Sequence, residues 1–459
     1  MKMSNPFVPG ILCAGLMFSA FPALALNVSD TAGTWRVLNF STPNQFTVQR
    51  DGNGIVTGIS EAEHFESSTG SLTVATDGTF SGLVPNPITG SVALGAQGHL
   101  VVNAESEDGA QSLTFHINRA GDFMTTCKTS PDGFNDLIVA VRAPATLAPA
   151  DLAGQWNAVG FQSPHHLVLE RNSSNQVINI RGLSSFGTFG GVLGINSDGT
   201  LSGDIGGAFT GTVSTAPNGV VNVAISDDEG PENHTLFVNS TKDVMVLLES
   251  RFDAYDNYQE IMIFQKAPTN NVTSELEGHW RIVVYNVPRV TQVTDGQGRV
   301  TGLSGPNRFE TLRQHLVMGY DGFFIAQVGG TATGTMTAGA SGMVTVNVES
   351  EDGPESFNLQ LNGRQDLLST ARAISDGYDL MLFTQSAPMP GPVRDFGMVT
   401  MRSAADMTVY WAASTNVGLV MSTNLSSWDP VPGTVGQHSY TVPAAGASAG
   451  FYRVSQLAP

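Results

Sequence analysis

The chain has 459 residues, room for about three domains of ordinary size, and only 13% of them are charged. With 21 Lys or Arg against 40 Asp or Glu, its net charge of −19 excludes the basic face that a nucleic-acid backbone requires. A hydrophobic content of 41% is too high for a disordered acidic tail, and past the N-terminus no apolar run approaches the ~20 residues of a membrane helix.

Residues 1–25 read as a secretory signal peptide. Lys2 gives a positive start, Phe7 to Leu24 is apolar, and Ala23-Leu24-Ala25 is an A-x-A cleavage site, so the mature chain begins at Leu26. Pro6, Pro9 and Pro22 argue against a buried helix there, and Leu12 stands where a lipidation motif around Cys13 needs a small residue. The expected address is periplasm, cell surface or medium. One thiol, Cys127, then remains. It lies in a strand-like run and reads as buried and inert, so stability must come from packed cores.

The remainder is one unit written three times. Asp30-Thr-Ala-Gly33-Thr-Trp35 recurs as Asp151-Leu-Ala-Gly154-Gln-Trp156 and as Glu275-Leu-Glu-Gly278-His-Trp280. The units close on Arg142-Ala-Pro144, Lys266-Ala-Pro268 and Ser386-Ala-Pro388. Between these ends four glycines keep register to within one residue: Gly78/Gly199/Gly322, Gly90/Gly211/Gly334, Gly98/Gly219/Gly342 and Gly109/Gly230/Gly353. A period near 120 residues is the size of a domain rather than of a solenoid repeat or propeller blade. The copies are read as 26–146, 149–270 and 273–390, followed by a different module at 394–459.

Within a copy the pattern is β. Leu113, Phe115 and Ile117 alternate with polar neighbours, as do Phe357, Leu359 and Leu361. Turn signals such as Asp51-Gly52, Asp77-Gly78 and Asp108-Gly109 punctuate the chain at short intervals. The prediction is an all-β protein: three tandem antiparallel meanders, each closing into a barrel or flattened sandwich, plus a small C-terminal β-sandwich. A β-propeller or one fused β-structure is the alternative. The Gly-x-Trp at Gly33/Trp35, Gly154/Trp156 and Gly278/Trp280, opening a meander of this length, resembles the calycin group of lipocalin and avidin-like barrels. That resemblance implies a Trp on the first strand plugging one barrel end, and it carries over no ligand residues. The tail, with Ser422-Thr-Asn-Leu425-Ser-Ser-Trp428 and Phe451-Tyr-Arg-Val454, resembles fibronectin-III-like modules of exported bacterial proteins, which decorate, sort or anchor.

Two polar features recur. Acidic hairpin tips carry Glu107 and Asp108, Asp228 and Glu229, and Glu351 and Asp352. Clustered carboxylates can hold Ca²⁺, though the same residues also make plain solvated turns. An Asp followed two residues on by an aromatic recurs at Asp132/Phe134, Asp253/Tyr255 and Asp376/Tyr378, with Tyr258 added in the second copy. A ring beside a carboxylate suits a sugar, or else caps a barrel end. Catalytic motifs fail: Gly446-Ala-Ser448-Ala-Gly450 lacks a strand-to-helix elbow, Gly52-x-Gly54 and Gly296-x-Gly298 join strands, and no H-E-x-x-H exists. The expectation is an exported, non-catalytic binding or surface protein whose tandem sites gain avidity, with an extracellular glycan or surface component as partner. The alternatives are a secreted polysaccharide hydrolase with one active copy, its two acids drawn from distant strands, and a structural spacer.

Overall fold

A computed structural model describes residues 26–52, 54–95, 99–107, 109–130, 132–228, 230–253, 257–305, 309–327, 331–350, 353–386, 398–402, 406–412, 417–443 and 451–456. Residues 1–25, read above as a signal peptide, and the Gly446–Gly450 motif lie outside them. No helix of the described residues is long and apolar enough to cross a membrane.

The first copy runs β1 (Gly33–Pro43), β2 (Val48–Arg50), β3 (Val56–Ile59), β4 (Glu66–Val74), β5 (Thr79–Val84), β6 (Asn86–Leu94), β7 (His99–Ser106), β8 (Gly109–Ile117), β9 (Phe123–Thr129) and β10 (Phe134–Arg142). β4 to β10 form a meander, and β1 pairs with both β4 and β10 to close an eight-stranded antiparallel barrel. β2 and β3 stand outside it as a hairpin. The second and third copies repeat this order over 154–266 and 278–385. The fold class predicted from the strand rhythm is therefore observed, with closed barrels rather than sandwiches.

Gly-x-Trp has a structural reason. Gly33, Gly154 and Gly278 sit at φ of 134°, 137° and 138°, which an L side chain rarely adopts. The residue two on, Trp35, Trp156 or Trp280, is wholly buried in the barrel lumen. Each indole Nε1 donates to a carbonyl of the short 3-10 turn ahead of the strand, at Thr31 (2.7 Å), Leu152 (2.8 Å) and Leu276 (2.8 Å). One end of every barrel is thus plugged.

In barrel 1 the strands β1, β9 and β10 are buried on both faces. Trp35, Val37, Met124 and Ala140 face the lumen of barrel 1. Their neighbours Leu38, Phe40, Phe123, Val139 and Val141 face outward into a second core. Val159, Phe161, Ile261 and Ile263 of barrel 2 and Val283, Tyr285, Leu380 and Leu382 of barrel 3 belong to that same core. At its middle Phe40, Phe161 and Tyr285 meet edge-on in a triangle, with centroids 5.7–5.8 Å apart. The three outlying hairpins cap one end, where Phe46, Phe65, Phe186 and Phe309 pack together.

The other end of the axis is closed by polar groups. Asn118/Asp122, Asn239/Asp243 and Asn362/Asp366 recur at equivalent loops, all buried. Each Asp accepts from its own Asn (3.0, 2.9 and 2.8 Å). Its second oxygen accepts from the next copy: Asp122 from Ser240 Oγ and Thr241 N, Asp243 from Asn362 Nδ2 and Arg364 N, and Asp366 from Asn118 Nδ2 and Ala120 N. The contacts run from copy 1 to 2 to 3 and back to 1, so the ring is closed. Burial, then the charges of Asp243 and Asp122, push Asp366 up to about 6, and burial raises Asp243 as well.

The C-terminal residues form two three-stranded sheets around Val409, Trp411, Val417, Leu419 and Val431. They rest on barrel 3 through His438, which stacks on Phe323 at 4.4 Å and faces Asp321 at 3.2 Å. Cys127 is buried at the seam of barrels 1 and 3, its thiol on the Leu312 carbonyl and pushed up by burial to about 12.

Candidate binding sites at the barrel mouths

Opposite the Trp plug, the lumen of each barrel turns polar. On the last barrel strand Asp136, Glu260 and Asp379 take the same place, paired across to Ser41, Gln162 and Asn286. In barrel 1 the neighbouring strand sets Lys128 opposite the acid, with Nζ 3.4 Å from Asp136, which also accepts from Ser41 Oγ at 2.5 Å. In barrel 3 Arg372 stands opposite Asp379 at 3.3 Å, pairs with Glu355, and lies 4.3 Å over Phe357.

Barrel 2 differs. The residue opposite Glu260 is another acid, Glu249. Like charges so placed repel, and the surroundings answer with cations. His234 Nδ1 lies 2.7 Å from Glu249, and Arg251 reaches Glu249 and Glu232 at 2.8 Å each. The Glu249 hydrogen bond raises His234. Burial works upward on Glu249, but the His234 bond and the His234 and Arg251 charges outweigh it and hold it below the usual range. Glu260, pressed by burial and then by the Glu249 charge, is pushed up to about 7. One acid of the pair is therefore held in its charged form while the other is driven toward its protonated form.

At the rims, each mouth sets an aromatic ring against a basic or imidazole group. Phe134 stacks on His64 at 4.9 Å in barrel 1. Arg289 lies 5.1 Å over Tyr378 in barrel 3. In barrel 2 the ring is Phe252, 48% exposed, with His165 (5.3 Å), His166 (4.6 Å) and Arg181 (5.7 Å) close to it and exposed Asp253 next in sequence. Phe252 has no counterpart motif in the other copies, so the repeat pattern gave no signal for it.

Asp132, Asp253 and Asp376 are all exposed in the rim turns. The Asp376 carbonyl accepts from Arg289 N at 2.7 Å, and the Asp253 carbonyl from Arg181 at 3.0 Å. The aromatics two residues on are not equivalent. Phe134 pairs opposite Pro43, whereas Tyr378 pairs opposite Val287, and in barrel 3 the place opposite Pro288 belongs to Gly377. A shift of one residue turns a side chain to the other face. Tyr378 therefore leans on the shared core, while Phe134 and its counterpart Tyr258 face the lumen side. Tyr255 lies outside the described residues.

Of the acidic tips, Glu107 and Asp228 are exposed. Asp108, Glu229, Glu351 and Asp352 lie outside the described residues. Among those described, no group of three His, Cys, Asp or Glu is placed to hold a metal.

The sequence matches no protein-family model and no curated protein. Similar solved structures include a double mutant of transferrin binding protein B from Haemophilus parasuis Hp5, at 8% identity, 76% of each chain and a TM-score of 0.25. The intact Ap-TbpB, with N and C lobes, is similar at 9% identity over 76% of each chain with a TM-score of 0.20. The isotype 1 transferrin binding protein B of serogroup B Neisseria meningitidis gives 9%, 77% of each chain and 0.23. At that level of superposition nothing about ligand or activity passes from them to this chain.

Proposed function

We infer that the chain is an exported, non-catalytic binding or surface protein in which a rigid three-barrel platform presents its mouths to an extracellular glycan. The signal peptide at 1–25 supplies the export. The repeats at 26–146, 149–270 and 273–390 supply the platform. The two sheets after 394 act as a small fibronectin-III-like module for sorting or anchoring. The observation that carries the reading is Phe252: an exposed ring flanked by His165, His166 and Arg181 and followed by Asp253. A ring face stacks on sugar C–H groups while the flanking donors and the carboxylate take hydroxyls. Asp132 and Asp376 stand at the corresponding rims. The test is retention of the mature chain on insoluble polysaccharides and on a glycan array. Phe252→Ala should weaken the retained glycan about tenfold, the worth of one stacked ring. An array on which the wild-type protein binds no glycan would overturn the reading.

The acid pair of barrel 2 favours a second reading, a polysaccharide hydrolase with one active copy. Glu260 would donate a proton and Glu249 would act as the charged partner. Turnover of a polysaccharide that disappears in Glu260→Gln would establish it in place of the first.

A further inference from the structure

The three seams between barrels are equivalent in position and unlike in chemistry. Between barrels 1 and 2, Arg36 donates to the Asn218 carbonyl at 3.2 Å and lies over Phe237. Between barrels 2 and 3, Asn157 takes the place of that arginine and donates to the Ser341 carbonyl at 2.7 Å. Between barrels 3 and 1, Arg281, Arg313 and His315 face His99, Thr114 and His116 around a cleft of about 380 Å³.

That cleft is basic in a protein whose net charge is −19, and no Asp or Glu is among the described residues that line it. Gln314, paired across to Ile282, turns into the lumen of barrel 3, while Arg313 and His315 on either side of it turn to the cleft. His116, 3% exposed and turned outward to the cleft, has an Nδ1 with no hydrogen-bond partner. Buried polar atoms are nearly always satisfied, so a lining of this kind points to a ligand with acceptor oxygens.

We propose that the seam between barrels 1 and 3 binds a tetrahedral oxyanion, phosphate or sulfate. The Arg281 and Arg313 guanidiniums, the latter also donating to the Thr114 carbonyl at 3.5 Å, offer charged donors to such an anion, and the three histidines supply further ones. The anion would join the first and last repeats and so strengthen the closure of the ring.

The same geometry sets a pH dependence. Burial, then the Arg281, Arg313 and His315 charges, holds His99 below its usual range. Burial, then His99, Arg281 and Arg313, pushes His116 down to about 3. Both rings are therefore neutral at about pH 7.5. A bound anion reverses the local charge, raises both groups and draws in protons, so affinity for an anion of constant charge, such as sulfate, increases as pH falls.

The experiment is calorimetric titration and thermal shift on the mature chain, with inorganic phosphate, inorganic sulfate and a sulfated oligosaccharide as probes. Chloride at matched ionic strength is the control. Phosphate or sulfate at about 10 mM should raise the melting temperature beyond chloride, and for sulfate, whose charge is constant, more at about pH 6 than at about pH 7.5. Arg313→Gln and His99→Gln, both on the accessible side, should each lower the affinity at least about tenfold. A sulfated oligosaccharide that binds much more tightly than free sulfate makes the anion glycan-borne, and equal affinities make it a free ion. No effect beyond chloride for any probe, or undiminished binding in both variants, overturns the proposal. Because the probes include free ions, the seam can hold even if the Phe252 rim binds no glycan, and the reverse.

Discussion

The mouths of barrels 2 and 3 are built on the same strands, yet one cross-strand pair separates them. Barrel 3 sets Arg372 against Asp379, and barrel 2 sets Glu249 against Glu260. Barrel 3 places a cation within the pair, one that Glu355 shares. Barrel 2 holds two acids with pKa values driven apart and borrows His234 and Arg251 to do so. Plug, axis and Asp ring are alike in all copies. Variation is concentrated at mouths and seams, where a side chain can change without disturbing the frame.

The largest expected effect lies in the common frame. Phe161→Ala removes one corner of the central triangle and should cost about 3–5 kcal/mol in denaturant unfolding of the mature chain. A loss below about 1 kcal/mol would mean that the barrels do not depend on this joint.

Asp366→Asn is next, at about 1–3 kcal/mol, because an amide nitrogen then faces the Asn118 and Ala120 donors. Its pH signature has a definite sign. The folded carboxyl titrates near 6 against an ordinary value near 3.8, so the folded state takes up the proton first. This group's contribution to stability therefore increases as pH falls from about 6 to about 4, and the variant should lack that gain. Urea titrations at several pH values, wild type against variant, give the comparison.

The two mouths should then respond with opposite signs. Asp379→Asn takes an acid from Arg372 and should destabilise by about 1–3 kcal/mol. Glu260→Gln relieves Glu249 and should stabilise by up to about 1 kcal/mol at about pH 8, where Glu260 is charged, and by less at about pH 6. Equal signs in thermal melts would break the distinction drawn between these mouths. Smallest of all, Asp132→Ala in an exposed rim turn should leave stability within about 0.5 kcal/mol.

Much of this frame was legible in the sequence. Gly33-x-Trp35 and its two copies, the Asp-Gly turns and the alternation at Leu113, Phe115 and Ile117 give the strands and their closure into barrels. The shared axis was written less openly. Runs such as Leu137-Ile-Val-Ala-Val141, Ile261-Met-Ile-Phe264 and Leu380-Met-Leu-Phe383 have no polar face, the mark of strands buried on both sides, but a continuous run does not say what covers the second side. The repeated Asn118/Asp122, Asn239/Asp243 and Asn362/Asp366 was a signal that polar spacing alone could have found. The mouth pair was hidden by register. Counting forward from each Trp aligns Asp132, Asp253 and Asp376. Counting back from the strand ends at Arg142, Lys266 and Gln385 aligns Asp136, Glu260 and Asp379, because the rim turn of the second copy is longer. Phe252 and the basic seam depend on single copies, where repetition offers no guide.

The most direct test of the fused platform is to compare unfolding of residues 26–390 with that of 26–146, 149–270 and 273–390 alone. A core drawn from all three copies predicts one cooperative transition for the joined chain and none for the isolated copies, whose outward faces Leu38/Phe40, Val159/Phe161 and Val283/Tyr285 would lie bare to water. Three isolated copies that each melt cooperatively near the temperature of the joined chain would contradict the shared core.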